Sequence, residues 1–293
     1  MTQTADHQPV MLLEAIDMLA IKPDHWYIDA TFGRGGHTHA LLQQHANVLA
    51  LDWDEAAIAY GEETFASAIQ DKHLILVRAN FTHLQDVSRQ HLGETQPQGV
   101  LFDFGTTSDQ LRSKERGFSF DGSGPLDMRM DNRLGVTAAD LLAVLTEKEL
   151  TKLLFELGGE PKARIIAKRI KASSPKTTAE LSLLIQQVKG PRRTHLHPAT
   201  QVFQALRIAV NSELEQIEQV LPIAWNILAP SGRMVTLSFH EGEDRPIKQF
   251  FQTLESKQQG RLLTKRPLTP TETELQRNPR SRSTKLRAIE KIA

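Results

Sequence analysis

The segment Asp29-Ala30-Thr31-Phe32-Gly33-Arg34-Gly35-Gly36-His37 constrains this chain more than any other. A buried strand from Trp26 to Phe32 should pass here into a helix that begins near His37. Glycines at such a turn let the backbone approach a ligand closely. A second strand, Val48 to Leu51, ends in Asp52, 19 residues after Gly33. A carboxylate at that strand tip can accept hydrogen bonds from a ribose diol. The two features together predict a nucleoside site at the carboxyl edge of a parallel sheet. Thr38 stands where the third glycine of G-x-G-x-x-G would be, and a dinucleotide needs a pyrophosphate cradle as well as a ribose clamp. S-adenosyl-L-methionine carries no phosphate, and its cationic sulfonium favours neighbouring acids. The Asp29 turn suits that ligand better, while a nicotinamide-dependent oxidoreductase stays open on the glycine turn and Asp52 alone.

The first 110 residues alternate strands with helices. Strand-like runs are Tyr27–Phe32, Val48–Asp52, Leu74–Arg78 and Val100–Phe104. Helical patterns cover Val10 to Leu19, Thr38 to His45, Glu55 to Ile69 and Leu84 to His91. Such alternation implies a parallel sheet covered on both faces. It stops after Phe104, where an irregular segment leads into helices at Ala138–Val144, Glu147–Leu157, Lys162–Ala172 and Ala179–Lys189. One long helix is expected from Pro198 to Leu228, then a β-rich end at Arg233–Phe239, Leu262–Lys265 and Lys285–Ile292. The sheet domain is therefore expected to be discontinuous.

Charge follows the same division. Formal net charge is zero, yet residues 1–110 carry 5 Lys/Arg against 15 Asp/Glu, residues 111–200 carry 16 against 10, and residues 201–293 carry 14 against 10. An acidic first part suits a cationic cofactor, and a basic remainder suits a polyanion. Zero cysteines exclude disulfides and thiolate metal sites. No apolar run approaches the length of a membrane span, and no export signal is evident at the N-terminus, so a cytoplasmic protein is expected.

Asp103-Phe104-Gly105-Thr106-Thr107-Ser108 follows the fourth strand and should border the pocket. The exocyclic amine of a nucleobase is a poor nucleophile because its lone pair is delocalised into the ring. An acceptor such as Asp103 can direct that lone pair at a methyl carbon, with proximity supplying much of the rate. Binding the cofactor, or capping the next turn, are its other available roles. Phe81, just past the third strand, is placed to border an adenine or simply to pack in the core. His37 can contact the ligand, cap its helix or face solvent. Phe118 or Phe120 could stack an extruded base or pack inside. Arg129 could hold a phosphate or pair with Asp127. The basic loop 189–198 and the basic tail 278–287 are candidates for phosphate contact, the tail equally for a charge-protected edge strand. His195 and His197 have no third ligand placed by sequence, so no metal is expected.

Several strings in this chain resemble the bacterial 16S ribosomal RNA cytosine-N4 methyltransferases, the RsmH or MraW family. They are His7 to Leu12, Tyr27 to His37, Arg116-Gly117-Phe118-Ser119-Phe120, Gly124 to Asp131, His197 to Thr200 with Phe203 to Ile208, Asn211 to Leu214, Ser238-Phe239-His240 and Asn278 to Ser283. They run in family order over nearly the whole chain. The resemblance implies an α/β, class I SAM-dependent methyltransferase fold, Rossmann-like, with a mostly parallel seven-stranded sheet and an inserted all-helical domain. Residues 1–111 and 205–293 would form the cofactor-binding domain, and residues 112–204 the substrate-recognition insertion. It implies N4-methylation of one cytidine in the decoding region of 16S rRNA, the family's cytosine 1402. S-adenosyl-L-methionine contacts would come from Gly35, Gly36, His37, Asp52, Phe81, Asp103 and Gln110. The partner would be 16S rRNA or the small ribosomal subunit, with no membrane and no metal, and a homodimer stays open. The chain reads Thr106-Thr107 and Glu241-Gly242 where the family pattern reads Val-Ser and Ser-Leu. Those departures motivate an alternative, a diverged non-catalytic protein that binds RNA during ribosome assembly.

Overall fold

A computed structural model describes residues 9–105, 116–120, 123–190 and 197–292. The chain forms two compact units, residues 1–105 with 214–293, and residues 106–213.

The first unit is built on one sheet of seven strands: β1 Trp26–Asp29, β2 Asn47–Asp52, β3 Leu74–Arg78, β4 Gly99–Asp103, β5 Arg233–Ser238, β6 Gly260–Leu262 and β7 Lys285–Lys291. Their order is β3-β2-β1-β4-β5-β7-β6. The first five are mutually parallel, and β7 runs antiparallel to both neighbours. Alternation along the strands separates two cores. Ile28, Leu49, Leu51, Val100, Phe102 and Met234 face the helices Leu84–Leu92, Glu213–Ile227 and Glu241–Ser256. Tyr27, Val48, Ala50, Leu101, Val235 and Leu237 face the helices Leu12–Leu19, Gly36–Gln43 and Glu55–Thr64. A central parallel strand is apolar on both sides for this reason. The chain steps outward from β1 to β3, then returns to place β4 on the other flank of β1. Open sheets of this kind bind ligands at the carboxyl ends of the strands beside that reversal.

The second unit is helical: Ala138–Val144, Glu147–Glu156, Ala163–Ser173, Thr178–Lys189 and Thr200–Asn211. Thr137 with Asp140, and Thr146 with Glu149, form capping boxes that set two of the helix starts. Leu150, Leu154, Ile166, Ile170, Leu181 and Leu206 are buried. Among the described residues no helix is long and apolar enough to cross a membrane.

Three expectations are corrected. The long helix from Pro198 to Leu228 is two helices, broken where Ser212 takes φ 48°. At that break the Asn211 side chain accepts from Met130 N at 2.8 Å and donates to Met128 O at 2.8 Å, so a loop anchors there. Residues 241–256, placed within a β-rich end, form a 16-residue helix. Its Ile247, Phe251 and Leu254 are buried, a helical spacing, and His240 with Glu243 forms the capping box at its start. Strand β7 is not an edge but lies between β5 and β6.

Candidate active site

The three strand tips beside the reversal are all acidic. Asp29 ends β1, Asp52 ends β2 and Asp103 ends β4. The carboxylates of Asp29 and Asp52 are fixed by hydrogen bonds. Asp29 is fully buried; one oxygen accepts from Thr31 N at 3.2 Å and the other from Thr38 Oγ1 at 2.7 Å. Thr31 in turn accepts the Asp103 amide at 2.6 Å, which ties the tip of β1 to the tip of β4. Asp52 accepts Gly33 N at 2.8 Å on one oxygen and Asp54 N at 2.9 Å on the other. Each ionised oxygen has a second lone-pair direction, so capacity for ribose hydroxyls remains.

Asp103 differs from the other two. Its Oδ1 is buried and makes no hydrogen bond, and its Oδ2 lies 3.9 Å from His37 Nδ1. That separation is too long for a hydrogen bond. His37 is itself buried, which lowers its pKa, so the neutral ring offers Asp103 no counter-charge, and its Nε2 also lacks a partner. The expectation that His37 might face solvent is overturned.

Among the described residues no lysine or arginine acts on these three carboxyls, and the one charge that opposes their rise is that of His37 on Asp29. Burial pushes Asp103 up to about 8, and the negative charges of Asp29 and Glu243 push the same way. Burial pushes Asp52 up to about 6 against two backbone hydrogen bonds, with Asp54 and Asp29 adding to the rise. Asp29 is raised, chiefly by burial. Carboxyl groups held away from water and close together resist ionisation until a positive charge arrives. A cationic sulfonium supplies that charge and a pyrophosphate would oppose it. Asp103 Oδ1 and His37 Nε2, two of the buried polar atoms without a hydrogen bond, are where an incoming ligand can satisfy unmet hydrogen-bonding capacity.

The glycines have a packing reason in addition to any ligand. Gly35 takes φ 69°, and a Cβ there would meet the Phe65 ring at 2.6 Å and the Phe32 ring at 2.7 Å. A Cβ on Gly36 would collide with the Pro9 ring. Phe81 is half-buried and opens a short 3-10 turn after β3. Its ring meets Phe102 and Phe104 edge-on at 6.1 and 5.8 Å. Gln110, Thr106, Thr107 and His195 lie outside the described residues. The residues that sequence reasoning passed over are Thr31, Thr38 and Glu243. The two threonines stand inside the glycine motif, but nothing in their spacing shows that one holds Asp29 and the other Asp103.

Other expectations resolve away from the strand tips. Phe118 is buried, and one face of Phe120 is taken by His197, stacked at 4.5 Å. Arg129 pairs with Asp127 through two hydrogen bonds of 2.7 and 2.8 Å. Of the basic tail, Lys285 and Arg287 are committed to Asp244 and so are not open to phosphate.

Strand order, reversal point and clustered acids define a Rossmann-like enzyme that takes a cationic nucleoside cofactor. Comparison with known proteins narrows this. The model of the MraW methylase family matches residues 4–292, and the chain belongs to that family. It is a methyltransferase of class I fold that uses S-adenosyl-L-methionine. It is 42% identical over 312 residues to the Ribosomal RNA small subunit methyltransferase H of Thermomicrobium roseum, covering 98% of this chain and 94% of that one. The protein of the same description from Acinetobacter baumannii is 41% identical over 304 residues, covering 98% of each chain.

Proposed function

We propose that this protein methylates the N4 amine of a cytidine in the decoding region of small-subunit rRNA, the position numbered 1402 in the family. The observation that carries the reading is a family match across almost the whole chain, joined to a strand-tip cluster of buried acids on which no lysine or arginine among the described residues acts. Relatives about 40% identical over nearly their full length are named for small-subunit rRNA methylation.

The cofactor supplies an electrophilic methyl carbon on a positively charged sulfur. Asp52 accepts hydrogen bonds from the ribose hydroxyls of the cofactor. The turn at Gly35 and Gly36 brings backbone against it, His37 offers Nε2, Phe81 borders the adenine, and Gln110 completes the contacts. Asp103, once ionised beside the sulfonium, accepts a hydrogen bond from the N4 amine and turns its lone pair toward the methyl carbon. The N4–C bond forms as the S–C bond breaks, the S–C electron pair stays on sulfur, and the amine proton departs to solvent. Alignment supplies most of the rate, as expected for a displacement between two bound partners. Residues 1–111 with 205–293 bind the cofactor and residues 112–204 recognise the RNA, in the cytoplasm and without metal.

The test is transfer of labelled methyl from S-adenosyl-L-methionine to small-subunit rRNA or 30S particles, followed by mass spectrometry of the digested nucleosides. N4-methylcytidine at one position is expected. Label only on a ring carbon, or only on protein, refutes the N4 assignment. Tight cofactor binding with no turnover on any assembly stage would favour a non-catalytic assembly protein.

A further inference from the structure

The helix Ala163–Ser173 breaks two local rules on its solvent face. Between Pro161 and Ser174 the chain carries five Lys/Arg and no acid. Arg164 lies in the first turn, which holds no acidic residue, although a helix N-terminus favours negative charge. Arg164 and Lys168 stand four residues apart, where like charges repel by roughly 0.2–0.5 kcal/mol. The buried face is ordinary: Ala163, Ile166, Ala167 and Ile170 pack inward.

The exposed cations have no structural duty. Among the described residues, Arg164, Lys168 and Arg169 form no ion pair and no side-chain hydrogen bond. Other cations of the same unit are employed: Arg129 on Asp127, Arg133 on Asp131, Lys189 on Glu160, and Lys171 on the carbonyls of Leu142 and Ala143. The three unpaired ones lie on adjacent stripes of one helix, about 6 Å apart along the axis per four residues, with Ile165 exposed between them. A pattern that costs local stability without an internal partner marks a face used for something outside the chain.

We infer that this face binds the phosphodiester backbone of the RNA substrate, through Arg164, Lys168 and Arg169. The inference rests on the reading of an RNA substrate given above. A run of unpaired cations without acids complements a regular polyanion, and such contacts position a nucleic acid without reading its sequence. These residues set affinity and salt dependence, and leave cofactor binding and the methyl-transfer step alone.

The test compares the full-length protein with the Arg164→Gln/Lys168→Gln/Arg169→Gln variant. Binding of a small-subunit rRNA fragment is followed by filter retention as a function of KCl. Each lost phosphate contact should reduce the slope of log affinity against log salt by roughly 0.7–0.9, so the triple variant should lose about 2. Unrelated RNAs should weaken by the same factor. KM for RNA should rise while kcat and the S-adenosyl-L-methionine Kd stay unchanged. A salt slope equal to wild type overturns the inference. So does weakened binding to 30S particles with naked rRNA unaffected, which would mark an acidic protein as the occupant. If the triple variant does not melt cooperatively, Lys168→Gln alone must reduce the slope by about 0.7–0.9. Exchange of Lys148 and Lys176 for Gln is the control, expected to do little. A wild-type protein that methylates rRNA beside an unaltered triple variant sinks only this inference. A wild-type protein that neither binds nor methylates rRNA sinks the functional reading and this inference with it.

Discussion

Two groups of buried acids in the same unit have opposite electrostatics. At the far side of β5, Asp244 receives Arg287 at 2.6 and 3.0 Å and Lys285 at 3.2 Å. Burial raises its pKa, but the hydrogen bonds and charges of Arg287 and Lys285 together outweigh burial and hold it below the usual carboxylate range. At the tips of β1, β2 and β4, Asp29, Asp52 and Asp103 are raised by burial, and no lysine or arginine among the described residues acts against it. The fold can evidently pair a buried carboxylate when stability alone is at stake. Where it leaves three unpaired, the missing charge is one the ligand brings.

The largest effect expected from this comparison is on stability at the paired site. Asp244→Ala leaves Arg287 buried without its partner, which should cost about 3–5 kcal/mol, read as a lowered midpoint in urea. The carboxylate also makes that stability pH-dependent. A depressed folded pKa means the contribution is present above the unfolded value near 3.8 and is lost as pH falls further. Wild-type and Asp244→Ala midpoints should therefore converge in acid. Coincident midpoints at neutral pH would mean the pair contributes nothing.

The next effect is on binding at the unpaired site. Asp52→Ala removes a charged acceptor for the ribose hydroxyls, worth about 1.5–3 kcal/mol. Affinity for S-adenosyl-L-methionine by calorimetry should fall roughly 10- to 100-fold, with the thermal midpoint hardly lowered. Unaltered affinity would remove Asp52 from the ribose role.

Much of this was legible in the sequence, for identifiable reasons. Strands β1 to β4 announce themselves by apolar runs, and Asp52 is read as the end of its strand, whereas the runs expected to reach Phe32 and Phe104 stop at Asp29 and Asp103. Helices Ala138–Val144 and Glu147–Glu156 are announced by their capping threonines and apolar spacing. The helix at 241–256 was not read from the sequence; it carries Gly242 in its first turn and Pro246 in its second, where the missing amide costs one i→i−4 hydrogen bond. The break at Ser212 was hidden because the apolar periodicity runs on, while its cause is the distant Met128–Met130 backbone gripped by Asn211. Strand order leaves no local trace, so the burial of β7 and the pairing of its cations could not be foreseen. The same holds for Glu243, which presses on Asp103 from a residue 140 positions away.

The smallest effect is the most diagnostic for the unpaired acids. With its pKa near 8, Asp103 carries a proton at neutral pH in the free protein. A sulfonium arriving beside it favours the ionised form, so binding expels a proton. By linkage, affinity must rise with pH below 8 and level off above it. If the pKa falls by one unit on binding, affinity should gain about fivefold between pH 6 and pH 8, out of roughly tenfold in all. S-adenosyl-L-homocysteine has the same amino acid and ribose groups but a neutral sulfur. Its affinity should share every other titration, those of Asp52 and the ligand's own amine included. The ratio of the two affinities therefore isolates the sulfonium, and calorimetry in buffers of different ionisation enthalpy should show more proton release for the methyl donor than for its demethylated product. Asp103→Asn should flatten that ratio. The same substitution should raise the thermal midpoint above pH 8. Because the folded pKa exceeds the unfolded one, the wild type loses stability as pH climbs from about 4 to 8, and the amide does not. A ratio that is flat with pH in the wild type would mean that Asp103 does not meet the charge, and the contrast between paired and unpaired acids would then have no functional content.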